Sequence, residues 1–195
     1  MDELYSPAPP VDLHTIPTLQ KIDIRKSVKI RPLDLSDTVH ILEIIKADNS
    51  IRNRVSVAAR LHTPEDVSNE VENYSKDPHL IRYAILENNN TVGLVSFWRD
   101  VGNAQIDAPD NLDDYGVGYF LAPNARGKGL VTNTIQCLIN IAAKNLYVRQ
   151  FIAYCDDNNH ESIKVLNKLR FIATNETFTE LNNGWIERKY VRQPT

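Results

Sequence analysis

Arg126-Gly127-Lys128-Gly129 carries the clearest chemical signal in this sequence. The chain has only 7 glycines, yet two of them alternate here with cations, after a short apolar run and before a helical pattern. A helix N-terminus presents unpaired backbone N–H groups and about half a positive charge, so it draws phosphate. Aiming several N–H groups at one pyrophosphate requires backbone close to ligand, and glycine removes the side chains that would obstruct that approach. Two familiar phosphate loops are excluded. G-x-x-x-x-G-K-[ST] fails because Gly129 follows Lys128 where Ser or Thr must stand. G-x-G-x-x-G fails because its third glycine position is Thr132. The spacing alone leaves two readings, an anion cradle or a tight turn into a helix.

Other reactive side chains are scattered. The run "QIDAPDNLDD" holds Asp107, Asp110, Asp113 and Asp114, either a solvated loop or an acidic rim that attracts a cationic amine or a basic protein tail. His160 stands beside Glu161 at a helix entry, as an exposed polar residue would. Cys155 ends a strand pattern and fits core packing. Cys137 and Cys155 form neither a disulfide framework nor a metal spacing, so no metal is expected.

These residues must be positioned by a chain of 195 residues, enough for one domain with a proper core. A net charge of −3 gives no electrostatic case for nucleic acid. No apolar run approaches the roughly 20 residues of a membrane span, and no signal pattern is visible, so a cytoplasmic protein is expected. Four of the 10 prolines, Pro7, Pro9, Pro10 and Pro17, mark residues 1–27 as an arm or an edge strand ahead of a domain at 28–195. "VKIRPL" (28–33) alternates as a strand. Ser36 is placed to cap a helix whose Val39, Leu42 and Ile45 share a face. Thr63, Pro64 and Asp66 have the spacing of a capping box. Strands 82–87 and 91–98 flank three asparagines, a hairpin signal, and 115–122 is a further strand. Val131, Ile135, Leu138 and Ala142 give the next helix one apolar face. Strand 150–155, helix 160–171 and a terminal hairpin around Asn182-Asn183-Gly184 complete a mixed α/β layer protein. Strands 115–122 and 150–155 should form a parallel pair.

The runs "GYFLAPNARGKGLVTN" and "RQFIAYCDDNNHESIKVLNKLRF", in this order and at this distance, resemble a GNAT-type N-acetyltransferase. More narrowly, they resemble the RimJ/RimL branch, which acetylates ribosomal-protein N-termini. "VKIRPLDLSD" and "TPEDV" fit the same family, so the resemblance spans about residues 28–192. It implies a GNAT fold, a mixed sheet of about seven strands with four helices packed on both faces, and acetyl-CoA as cosubstrate. The family's pyrophosphate pattern [QR]-x-x-G-x-[GA] falls on Arg126, Gly127, Lys128, Gly129, Leu130 and Val131. Val131 departs from Gly or Ala, as it often does in this branch. Backbone of Phe120 and Leu121 would pair with the pantetheine arm as an added strand would. Asn159 matches an Asn that contacts coenzyme A. Ser162 matches the Ser that protonates the departing thiolate, and Leu166 stands where many relatives carry a Tyr.

Acetyl transfer needs a neutral amine and a sink for its proton. An α-amine costs only about 1 kcal/mol to deprotonate at pH 7, against roughly 4–5 for lysine. An α-amine therefore asks little of a base, and water relayed to a carboxylate suffices. The family's Glu two residues before "GY" is Gly116 here. Asp114 is the nearest carboxylate of the same strand parity. The favoured base is Glu180, where the RimL type carries a catalytic Glu after a one-residue gap. The expected activity is acetylation of a protein N-terminal α-amine. The alternatives are a small amine (antibiotic, polyamine or amino acid) and a weakly catalytic acyl-CoA sensor, and the N-terminal arm is a candidate for exchange within a homodimer.

Overall fold

The computed structural model describes residues 12–16, 22–100, 114–179 and 186–194. Its strands are β1 (Ile22–Arg25), β2 (Val28–Pro32), β3 (Leu80–Glu87), β4 (Asn90–Asp100), β5 (Asp114–Leu121), β6 (Gln150–Cys155), β7 (Ile172–Thr179) and β8 (Ile186–Arg192). They form one sheet in the order β1-β2-β3-β4-β5-β6-β8-β7. The eighth strand is β1, which lies in the proline-rich segment and pairs with β2 at the edge. Ahead of it, Leu13 is fully buried and its N–H donates to the Pro78 carbonyl at 2.9 Å.

Helices α1 (Thr38–Ala47), α2 (Ser56–Ala59) and α3 (Pro64–Ser75) precede β3, while α4 (Leu130–Asn145) and α5 (His160–Lys168) follow β5 and β6. Strand alternation sends side chains to two separate cores. Tyr83, Phe97, Tyr115 and Val117 pack with α4 and α5, whereas Ala84, Leu86, Leu94 and Phe120 pack with α1, α2 and α3. The expected α4 stripe of Val131, Ile135, Leu138 and Ala142 is buried along its length. Burying each large aliphatic side chain is worth about 1.5–3 kcal/mol.

Local signals held where their donors had no rival. Thr63 and Asp66 form the capping box of α3, with Pro64 in its first turn. The β3–β4 hairpin turns on Asn88 and Asn89 at φ 52° and 66°, the left-handed pair that a tight two-residue turn demands. Ser36 does not cap α1. Asp34 starts a short 3-10 turn instead, accepting from the Ser36 N–H, because a carboxylate outcompetes a hydroxyl as acceptor. The buried stripe of α1 runs through Ile41, Ile44 and Ile45, leaving Val39 exposed. Three isoleucines at i, i+3 and i+4 offer more contiguous apolar area than the Val39 stripe.

The topological feature that matters for chemistry is the β5–β6 pair. It is parallel, as expected, but joined only from Asp114–Gly116 to Gln150–Ile152. Beyond Gly116 the strands separate, although β5 stays paired with β4 through Leu121.

Candidate active site

The separated ends of β5 and β6 open a cavity of about 720 Å³. Its floor is Val117–Leu121, one wall is the Arg126–Gly129 loop with the start of α4, and the opposite wall is α5. The Ala122 N–H bonds the Val92 carbonyl at 2.9 Å. In an antiparallel ladder, bonding residues alternate along the strand. Gly116, Gly118 and Phe120 therefore spend their backbone groups on β4, while Val117, Tyr119 and Leu121 turn theirs towards the gap. Phe120 is thus corrected as a backbone partner, and its ring is buried under the α1–α3 layer. Leu121 faces the gap, with its carbonyl accepting from Arg126 Nε at 3.3 Å and Nη2 at 3.1 Å.

Gly127 and Gly129 adopt φ of 75° and 74°, a region costly for any residue with a Cβ. A Cβ on Gly127 would meet no protein atom within 4 Å, so its face is open space. Gly129 precedes Leu130 without any side-chain cap on the helix. The first N–H groups of the 16-residue α4 are thereby left for a ligand on the cavity side, where Leu130, Val131 and Thr132 line the wall. Bare backbone, an uncapped helix start and a deep cleft fit a pyrophosphate. Val131 is accommodated because its side chain turns into the core.

The loop cations have protein partners. Arg126 Nη2 donates to Asp48 Oδ2 at 2.6 Å, tying the loop to the segment after α1. Lys128 Nζ donates to Glu87 Oε2 at 2.8 Å and does not line the cavity. Lys164 and Lys168, one turn apart on α5, face the cavity instead. Glu161, Lys164, Val165 and Lys168 all line it, and their i, i+3, i+4, i+7 spacing was the readable signal.

Asn159 caps α5, its Oδ1 accepting from the Ser162 N–H at 3.2 Å, and its amide N–H₂ keeps donor capacity. Asn159 and Ser162 both line the cavity. The Cys155 thiol also lines it, pushed up to about 12 by burial and then by nearby carboxylates, Glu187 foremost. It is a protonated donor to the Asp156 carbonyl at 3.4 Å, not a nucleophile.

Asp114, the candidate carboxylate beside the favoured Glu180, is engaged by other side chains. Its oxygens accept from Arg149 Nε and Nη2, each at 2.9 Å, and from Gln150 Nε2 at 2.8 Å. It is 4% exposed at the joined end of β5 and β6, outside the cavity lining. Glu180, Asp107, Asp110 and Asp113 lie outside the described residues. The carboxylates that do line the cavity include Asp100 and Glu187, which sequence reasoning missed. Asp100 follows Trp98 at strand period two, a signal that was available. Glu187 is paired with Phe178 across the β7–β8 ladder, a juxtaposition only folding creates.

Gly116, the departure from the family pattern, is explained by Trp98. The two residues are cross-strand partners. A Cβ at position 116 would sit 2.0 Å from Trp98 Cε2 and 2.2 Å from Cζ2. The indole lies where a side chain on that strand position would emerge. It also lines the cavity, with Tyr154 and Phe178, whose ring centroids are 5.7 Å apart.

A family profile described as an acetyltransferase (GNAT) domain matches residues 27–172. The chain belongs to the GNAT acetyltransferase family. It is an acetyl-CoA-dependent acyltransferase, with the eight-stranded mixed sheet in place of the seven strands expected. Among solved structures, it is similar to RimL, the ribosomal L7/L12 α-N-protein acetyltransferase, in complex with coenzyme A. That match has 18% identity and TM-score 0.74, covering 89% of this chain and 97% of RimL. The microcin C7 self-immunity acetyltransferase MccE, in complex with acetyl-CoA and AMP, matches at 20% identity and TM-score 0.74, covering 89% and 96%. Mycobacterium smegmatis RimJ with CoA-disulfide matches at 16% identity and TM-score 0.69, covering 85% and 81%. At these identities the likeness is one of fold. No curated protein is similar enough in sequence to be matched. Among the described residues of this GNAT domain, no helix is long and apolar enough to cross a membrane, and no cluster of His, Cys, Asp and Glu could hold a metal ion.

Proposed function

We propose that this GNAT enzyme acetylates a protein N-terminal α-amine of the ribosomal-protein type. The observation that carries the reading is the Trp98 indole over Gly116. It leaves β5 without a carboxylate beside the opening between β5 and β6, so among the described residues the carboxylates of the cleft stand on other elements, Asp100 and Glu187 among them. An α-amine, with its pKa of about 7.7–8.0, tolerates that arrangement far better than lysine at about 10.4. RimL, which shares this fold, is itself a ribosomal L7/L12 α-N-protein acetyltransferase.

Acetyl-CoA supplies the acetyl group as a thioester. The loop of Gly127 and Gly129, with Leu130 and Val131 behind it, holds the pyrophosphate, and Lys164 and Lys168 supply cations from α5. Tyr119 and Leu121 offer backbone groups to the pantetheine arm, with Asn159 as a side-chain donor. The acceptor nitrogen bonds the acetyl carbon as the carbon–sulfur bond breaks. Its proton passes through water to a carboxylate at the β7–β8 end of the cleft, and Ser162 donates towards the departing sulfur. Glu180 is the sequence's candidate for that carboxylate, and Glu187 is the one that the described cavity presents.

The aromatic wall of Trp98, Tyr154 and Phe178 favours a second reading, a small amine bearing a flat ring, as MccE bound to AMP illustrates. Thiol release from acetyl-CoA should be measured with ribosomal-protein N-terminal peptides, internal-lysine peptides, polyamines and aminoacyl nucleotides. Turnover confined to the N-terminal peptides supports the first reading, and turnover confined to small amines overturns it. Glu180→Gln and Glu187→Gln then separate the two carboxylates by which one lowers kcat and shifts the pH profile.

A further inference from the structure

Tyr119 poses a question that the site as described leaves open. It stands on the separated part of β5, lines the cavity, and packs against the α4–α5 core. Its Oη is sealed from solvent and has no hydrogen-bond partner among the described residues. A buried hydroxyl without a partner is costly, and proteins generally satisfy or remove such groups. The Ser162 hydroxyl, at the start of α5, lines the same cavity and opposes the burial that raises the phenol's pKa, yet Tyr119 Oη makes no hydrogen bond to it. Ser162 in turn lines the cavity beside Asn159, whose side chain already holds the Ser162 backbone N–H. Leu166, one turn further along α5, is 1% exposed and purely apolar, so that helix offers no phenol of its own.

We propose that Tyr119 is a positioning residue that acts through Ser162. When the two hydroxyls meet, Tyr119 Oη–H donates to Ser162 Oγ. The Ser162 hydroxyl carries a single proton, and with one lone pair engaged from behind by Tyr119, that proton points out into the cavity. The hydroxyl is then pre-aimed at the sulfur of coenzyme A, where negative charge develops as the thioester opens. Tyr119 keeps its own proton throughout, which burial favours, so no charge is left inside the protein. Preorganised donors of this kind lower a barrier because nothing must reorient as charge appears. The inference rests on the acetyl-transfer reading for its kinetic consequence, but its binding consequence does not.

The test compares wild type, Tyr119→Phe, Ser162→Ala and the double variant. Tyr119→Phe removes only the orphan hydroxyl, so the apo protein should keep or raise its Tm. Its kcat should fall roughly 3- to 10-fold, the worth of one hydrogen bond, with the acetyl-CoA KM unchanged. The double variant should be no slower than Ser162→Ala alone, because Tyr119 has no route to sulfur except Ser162. Binding supplies a second readout. Coenzyme A should bind wild type more tightly than desulfo-coenzyme A, and that margin should shrink in Tyr119→Phe. Unchanged kcat with an unchanged margin, or losses that multiply in the double variant, would overturn the inference. If wild type acetylates none of the amines tested, the acetyl-transfer reading fails by itself, and the coenzyme A margin still decides the role of Tyr119.

Discussion

Gly116→Ala is a one-carbon change whose consequence can be worked from the structure. The new Cβ would stand 2.0, 2.2 and 2.5 Å from Trp98 Cε2, Cζ2 and Nε1. Non-bonded carbons settle at about 3.5–4.0 Å, so the indole must retreat by more than an ångström. Three contacted atoms belong to one rigid ring, so no small side-chain rotation relieves all of them. Trp98 is half-buried and lines the cavity, and its retreat is therefore into the cleft. Overpacking of this kind costs about 1–3 kcal/mol, or a Tm lower by roughly 3–10 °C for a domain of this size. Thermal unfolding and tryptophan emission would register the strain and the ring's new environment. Steady-state kinetics should show a raised acceptor KM with the acetyl-CoA KM preserved. In a Trp98→Ala background the same substitution should cost almost nothing, since the obstructing ring is gone. A Gly116→Ala protein with wild-type Tm and emission would refute the reasoning, because the indole would then not occupy that space.

Three further outcomes are expected. Gly127→Ala should weaken coenzyme A binding by at least about 10-fold while costing only the roughly 1–2 kcal/mol of a left-handed alanine, since no protein atom obstructs its Cβ; calorimetry with coenzyme A checks it. Glu70→Ala removes the carboxylate that accepts from Arg82 Nε at 2.6 Å and leaves this guanidinium, 9% exposed, uncompensated in charge with its Nη1 on the neutral Ser96 hydroxyl, and should cost about 3–5 kcal/mol in denaturant unfolding. Stability should fall between about pH 9 and 12, because burial raises Cys155, Tyr74 and Tyr154 to about 12. Groups with raised folded-state values hold their protons when the unfolded chain releases them, so the loss grows as pH rises through that window. Cys155→Ala should flatten part of this loss in alkaline unfolding curves.

Local rules acted within a few residues and were legible as such. The Thr63–Asp66 box, the Asn88-Asn89 turn, the apolar stripe of α4 and the left-handed glycines each depend on spacing that the chain carries in one dimension. The same is true of the cradle's chemistry, since an uncapped helix start behind bare backbone needs no distant partner. By sequence alone, then, this chain reads as a layered α/β protein that resembles a GNAT acetyltransferase, with a glycine loop before a helix as its candidate pyrophosphate cradle.

Tertiary structure decided everything that depends on which strand lies beside which. Asp114 looked like a free acid until Arg149 and Gln150, 35 and 36 residues away, engaged both its oxygens. Phe120 turns its backbone groups to β4, and Tyr119 and Leu121 turn theirs to the gap, because ladder parity is set by pairing with β4. Glu187 and Phe178 meet in the cleft only because β7 and β8 pair. Gly116 read as a missing carboxylate, and only the neighbouring strand shows the Trp98 ring in its place. The physical reason is common to all four: hydrogen-bond parity and side-chain exclusion act between strands, and their strength falls off with distance in space, which the order of residues along a chain does not encode.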